Sequence, residues 1–97
     1  MLSILIPTYN YNVYPLAYEL EKQAIEANCV FEIICFDDGS KSALNNENNK
    51  INTLLHSTFK ELPVNIGLSN IRNTLAEKSQ YEFLLFIDGD SMVSNDH

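Results

Sequence analysis

The chain has 97 residues, 45% of them hydrophobic and 20% charged, which fits one soluble domain with a modest core and leaves no room for a second. Its formal net charge of -7, with no basic cluster, excludes nonspecific nucleic-acid binding, which depends on Lys and Arg neutralising phosphates. An anionic ligand would therefore need a metal ion to offset the repulsion.

Leu2 to Ile6 is a short β-branched apolar run, predicted as a buried strand closed by Pro7-Thr8-Tyr9-Asn10. Without a basic region before it, and ending at Pro7, it is too short for a signal segment or a membrane span. From Pro15 the period changes. Val13, Leu16, Ala17, Leu20, Ala24 and Ala27 share one helical face, Glu19, Glu21, Lys22 and Glu26 lie elsewhere, and Pro15 suits a first helical turn. Phe31 to Phe36 reads as a second buried strand. Cys29 and Cys35 follow no zinc spacing and have no companion His, so both are read as reduced core thiols, consistent with a cytoplasmic protein. Ser40 to Lys50 is predicted as a loop, its Asn45-Asn46-Glu47-Asn48-Asn49 tract solvated, leading into a short helix near Ile51 to Ser57.

Phe59 to Leu62 reads as a brief edge strand ending at Pro63, followed by the loop Val64-Asn65-Ile66-Gly67. Leu68, Ile71, Leu75 and Ala76 then form a helical stripe ending near Ser79. Tyr81 to Ile87 is the last predicted strand, apolar at nearly every position as in a strand covered on both faces. His56 and His97 lack acidic or Cys companions at ligand spacing and are read as surface residues.

Strands alternating with helices at this spacing predict an α/β domain whose mostly parallel sheet is joined by right-handed crossovers. All strand ends then share one edge, where ligands settle in such folds. The last strand runs into Asp88-Gly89-Asp90, two carboxylates one residue apart, oxygen donors of the kind Mg²⁺ and Mn²⁺ prefer. Phe36-Asp37-Asp38-Gly39-Ser40 repeats the layout. Either motif alone is a common turn, but two at one edge mark a site. With the first strand between the second and the last, Asp38 and Asp88 would stand about 10 Å apart, a span suited to a nucleoside diphosphate. Arg72 falls between Leu75 and Ala76 on its helix, inside the apolar stripe, where its charge must either snorkel out or meet an anion in the cleft. Tyr9, just past the first strand, is either plain packing or a platform for a base.

Four stretches resemble the successive signatures of family 2 glycosyltransferases with the GT-A fold: Ser3 to Asn10, Asp37-Asp38-Gly39-Ser40, Asn65 to Asn73, and Phe86-Ile87-Asp88-Gly89-Asp90. Each is weak alone; in this order and spacing, over nearly the whole chain, they are specific. The resemblance implies a Rossmann-like three-layer α/β/α arrangement, with residues 1–97 forming the N-terminal, donor-binding portion of the domain. It also implies residue roles. Pro7, Thr8 and Tyr9 would line the base, with Tyr9 stacking on it; Asp38 would hydrogen-bond the base, usually uracil; Arg72 would contact the base or the diphosphate. Asp88 would face the ribose, and Asp90 together with Asp88 would hold Mg²⁺ or Mn²⁺ on the two phosphates. The implied reaction is inverting transfer from a nucleoside-diphosphate sugar, expected to be a UDP-sugar, to a hydroxyl of a glycan or lipid-linked acceptor, as in cell-surface polysaccharide synthesis. The full-length enzyme would be cytoplasmic or peripheral to the membrane.

Ser91 stands where the family often has a further acid, and Ile71 where Ala is usual. Family members continue well past the position of His97, and that continuation carries the acceptor pocket and the general base. The chain alone is therefore expected to bind nucleotide without turnover, to hold no catalytic base, and to self-associate through an uncovered sheet edge. Other readings fare worse. In a haloacid dehalogenase frame the nucleophile position falls on Phe36; a receiver domain carries its acidic pair after the first strand, which here ends Pro7-Thr8-Tyr9; a dinucleotide fold needs Gly-x-Gly-x-x-Gly, and the three glycines are far apart. A noncatalytic α/β binding module is the alternative from another class.

Overall fold

Strand β1 (Leu2–Thr8) sends Ile4 and Ile6 to one side and Leu5 to the other, the period-two consequence of an extended backbone, so a single strand feeds two cores. A computed structural model describes residues 1–88 of the chain. After β1 come α1 (Tyr14–Glu26), β2 (Phe31–Asp37), the single-turn α2 (Asn45–Asn48) running into a 3₁₀ helix (Asn49–Thr53), β3 (Ser57–Glu61), α3 (Leu68–Lys78) and β4 (Phe83–Phe86). The four strands form one parallel sheet in the order β3-β2-β1-β4, so β1 lies between β2 and β4, the condition on which the Asp38–Asp88 span was reckoned.

On one face, α1 and the 3₁₀ helix bury Val13, Ala17, Ala24 and Ile51 against Ile4, Ile6, Ile33, Cys35 and Phe59. On the other, α3 sets Ile71 and Leu75 against Leu5, Ile34 and Phe36. The result is the three-layer α/β/α arrangement. Two fully buried side chains supply roughly 1.5–3 kcal/mol each, a thin seat for α3, so the polar contacts at its entry carry weight. No helix among the described residues is long and apolar enough to cross a membrane.

Three expectations are corrected. The Asn-rich tract is no solvated loop: residues 45–48 are helical, and Asn45 and Asn48 are buried. Composition misleads there because these amides find partners inside the protein. The helix expected near Ile51 to Ser57 accordingly begins earlier and ends at Thr53. β4 is shorter than Tyr81 to Ile87 and is not covered on both faces. Among the described residues it is an edge strand with Phe83, Leu84 and Leu85 exposed at 67%, 40% and 42%; of its four residues only Phe86 is half-buried, against the core that includes Ile71 and Leu75 of α3. Its place is held by register with β1, where Leu2 pairs Phe83 and Leu5 pairs Phe86. Glu32 braces its entry by accepting from Ser3 Oγ at 2.6 Å and from the Gln80 N–H at 2.7 Å.

Cys29 is half-buried and Cys35 fully buried, neither in a disulfide. Burial, and secondarily the Asp37 carboxylate, push the Cys35 thiol well above its usual range, so it stays protonated and unreactive. A chromogenic disulfide reagent at pH 8 should label Cys29 promptly and Cys35 only as fast as the protein unfolds. Prompt labelling of both would contradict this packing.

Candidate nucleotide site

The parallel sheet gathers the ends of β1, β2 and β4 along one edge, and β1 lies at its switch point, since the α1 connection to β2 crosses one face and the α3 connection to β4 the other. The Asp38 N–H donates to the Thr8 carbonyl at 2.9 Å on one side, and the Ile87 N–H donates to the Leu5 carbonyl at 3.0 Å on the other. Above this point lies an open cleft of about 400 Å³. Its floor is Pro7, Thr8 and Tyr9; Asp38 enters from the β2 side, Asp88 from the β4 side, and Asn65, Gly67, Leu68 and Ile71 close it from α3 and its preceding loop. Crevices at such switch points are where open α/β sheets bind ligands.

The two acids at the end of β2 do different work. Asp37 is fully buried and folds the turn behind it: its carboxylate accepts the Ser40 N–H at 2.9 Å, the Ser40 hydroxyl at 2.7 Å and, more distantly, the Asn10 N–H at 3.4 Å. This is the local side-chain-to-backbone pattern that Asp favours in turns. Asp38 reaches across the cleft wall. One oxygen accepts the Ile66 N–H at 2.7 Å, the other the Gly67 N–H at 3.0 Å, while Asn65 Nδ2 donates to the Asp38 carbonyl at 3.1 Å. Gly67 begins α3 with φ 88° and no side-chain cap of the helix's own. A carboxylate from β2 thus sits where the helix dipole favours negative charge.

Directly after the two acids, Gly39 turns the chain at φ 72°. A Cβ there would lie 2.5 Å from the Asn65 nitrogen and 2.7 Å from the Val64 oxygen, so two backbones touch where no side chain fits. Thr8 Oγ1 is buried beneath the cleft and is the one such side-chain oxygen without a hydrogen-bond partner among the described residues. Tyr9, next along the cleft floor, is 57% exposed, its ring available as a flat surface.

Of the residues singled out in the sequence, Pro7, Thr8, Tyr9, Asp38 and Asp88 line this one cleft. Arg72 does not. It is exposed rather than inside the α3 stripe, which narrows to Ile71 and Leu75, and its guanidinium lies 5.0 Å above the Phe86 ring in a cation–π contact, the outward of the two placements expected for it. Gly89 and Asp90 lie outside the described residues, among which no group of three or more potential metal ligands occurs. Asn65, Gly67, Leu68 and Ile71 were not anticipated as cleft residues, although the motif stretch from Asn65 to Asn73 contains them.

Comparison with known proteins agrees with this architecture. Residues 3–97 match the model of Glycosyl transferase family 2. The chain is 30% identical to an uncharacterized glycosyltransferase of Haemophilus influenzae, over 99% of its own length and 38% of that protein's. Among solved structures it resembles S. aureus TarS 1-349, with TM-score 0.76 and 29% identity over 92% of this chain and 27% of that one. The complex of TarS 1-349 with UDP-GlcNAc is similar at TM-score 0.68 and 27% identity, over 92% and 26% of the two chains. The chain thus spans well under half the length of each of these relatives, and over that span it belongs to glycosyltransferase family 2.

Proposed function

We propose that this chain is the donor-binding portion of an inverting glycosyltransferase and holds a UDP-sugar in the cleft above β1. The observation that carries the reading is the convergence of Tyr9, Asp38 and Asp88 on one cleft at the sheet's switch point, in a fold whose neighbour TarS has been captured with UDP-GlcNAc. Tyr9 supplies a stacking surface for the base, and the free lone pairs of the Asp38 carboxylate accept from the imide N–H of uracil. Asp88, on the opposite wall, accepts from the ribose.

Asp38 already occupies the Ile66 and Gly67 amides just ahead of α3, so those two are not free for the diphosphate. Two carboxylates bordering an anionic ligand call for a cation, and the hard oxygen donors of Asp88 and Asp90 suit Mg²⁺ or Mn²⁺. Bound there, the ion would stabilise charge on the departing diphosphate. Arg72, which lies over Phe86 outside the cleft lining, would have to swing in to contact the base or the diphosphate. In the whole enzyme an acceptor hydroxyl would attack the anomeric carbon as its bond to the diphosphate breaks, and a base outside residues 1–97 would take the hydroxyl proton. The acceptor would be a glycan or a lipid-linked sugar.

Calorimetric titration with UDP, GDP and ADP, with and without Mn²⁺, tests the reading. UDP should bind in the presence of Mn²⁺, and Asp90→Ala should weaken it by about tenfold or more, the worth of a lost charge-assisted contact. Equal, metal-independent affinity in that variant would remove Asp90 from the site. Sugar transfer by the 97-residue chain alone would overturn the division of labour.

A further inference from the structure

Asn48 is a fully buried polar side chain at a distance from the cleft residues in sequence, yet it grips the loop that carries Tyr9. Its amide oxygen accepts the Val13 N–H at 2.8 Å; its amide nitrogen donates to the Tyr11 carbonyl at 2.8 Å and to Asn45 Oδ1 at 3.0 Å. Asn45, also buried, donates in turn to Glu61 Oε1 at 3.1 Å, at the end of β3. Desolvating two amides is costly unless their hydrogen bonds are made, and here three of the four capacities of Asn48 are filled.

The gripped loop leaves β1 at Tyr9, turns through Asn10 at φ 51° and enters α1 at Tyr14. Its other long-range side-chain tie among the described residues is the 3.4 Å contact of the Asn10 N–H with Asp37. The two 2.8 Å bonds of Asn48 are therefore the short anchors, one on each side of Asn12. From this the geometry points to Asn48 as a positioning residue for nucleotide binding: it acts through the Tyr11 and Val13 backbone to hold Tyr9 ready to stack. The inference rests on the donor-site reading above.

The demand is specific to Asn, which offers a donor and an acceptor on one short stem. Asp has the same shape but would aim a second acceptor at the Tyr11 carbonyl and at Asn45 Oδ1. Preorganised loops bind more tightly because less ordering remains to be done on binding, so loosening the grip lowers affinity beyond any effect on folding.

The test titrates UDP with Mn²⁺ into the whole chain and its variants Asn48→Asp, Asn45→Ala and Ile51→Val, and follows amide exchange of residues 10–13 without ligand. Ile51 is buried in the neighbouring core and controls for lost stability alone. Asn48→Asp should raise Kd about tenfold and Asn45→Ala about threefold. Both should speed exchange at residues 10–13 more than elsewhere, while Ile51→Val lowers stability with Kd unchanged. An Asn48→Asp protein with unchanged Kd, or with exchange raised only uniformly, overturns the inference; if that variant does not fold, the same results for Asn45→Ala overturn it. Wild-type protein that binds no UDP refutes the donor site separately, and the exchange measurement then still decides whether Asn48 holds the loop.

Discussion

Gly39→Ala should destabilise the chain by roughly 2–5 kcal/mol and abolish nucleotide binding, the sum of about 1–2 kcal/mol for an L residue in left-handed backbone and about 1–3 kcal/mol for overpacking. The two terms separate experimentally. Gly67 also has positive φ, 88°, but a Cβ there meets nothing within 4 Å. Gly67→Ala should therefore cost only the conformational part, about 1–3 kcal/mol. Urea unfolding of both variants decides: Gly39→Ala must be clearly worse, since its new methyl meets the Val64–Asn65 backbone, which Asp38 and Asn65 hold in place. Equal losses would mean that the close approach of the two loops is not real.

Asp38→Ala should cost about 3–6 kcal/mol, because hydrogen bonds to a charged acceptor are worth about 1.5–3 kcal/mol each and two are lost at a site only 7% exposed. Asp38→Asn is the sharper probe. Its oxygen can serve one of the Ile66 and Gly67 N–H groups, but its NH₂ would face the other, so the isosteric change should recover little. Both variants should weaken UDP binding by about tenfold or more, through the lost partner for the base and the loosened α3 entry. Wild-type stability in Asp38→Asn would show that the carboxylate does not clamp that loop.

The main lines of the fold were legible because burial imposes periodicity. The runs from Leu2 and Phe31 became β1 and β2, and the stripes through Ala17 and through Ile71 became the buried sides of α1 and α3. Order along the sheet entered only as a condition, β1 between β2 and β4, which the sheet meets. Interactions that cross between distant segments left no such trace. The burial of Asn48 depends on backbone groups of Tyr11 and Val13, which no local pattern around Asn48 announces. β4 misled for the opposite reason: an apolar run states what a strand would bury, not whether anything covers it. Arg72 was misplaced because the stripe on α3 spans only Ile71 and Leu75, and one step of 100° carries a side chain off it. At the cleft, Asp37 and Asp38 could not be told apart by composition, although the spacing of Asp37 to Ser40 is the local signature of a turn-holding acid.

The contacts of Asp38 with Ile66 and Gly67 bridge 28 and 29 positions of sequence. Closing so large a loop costs entropy that is recovered only when α3 is already on the sheet. The β1–β2 pairing closes loops of the same size, but Asp88 reaches the cleft only once β4 has paired with β1, Leu2 with Phe83, the longest closure in the sheet, so the cleft is complete only late and is among the first parts to come apart. A ligand spanning Asp38 and Asp88 would then act as a late fastener on the folding route: it would slow the opening of the finished structure more than it would hasten its construction.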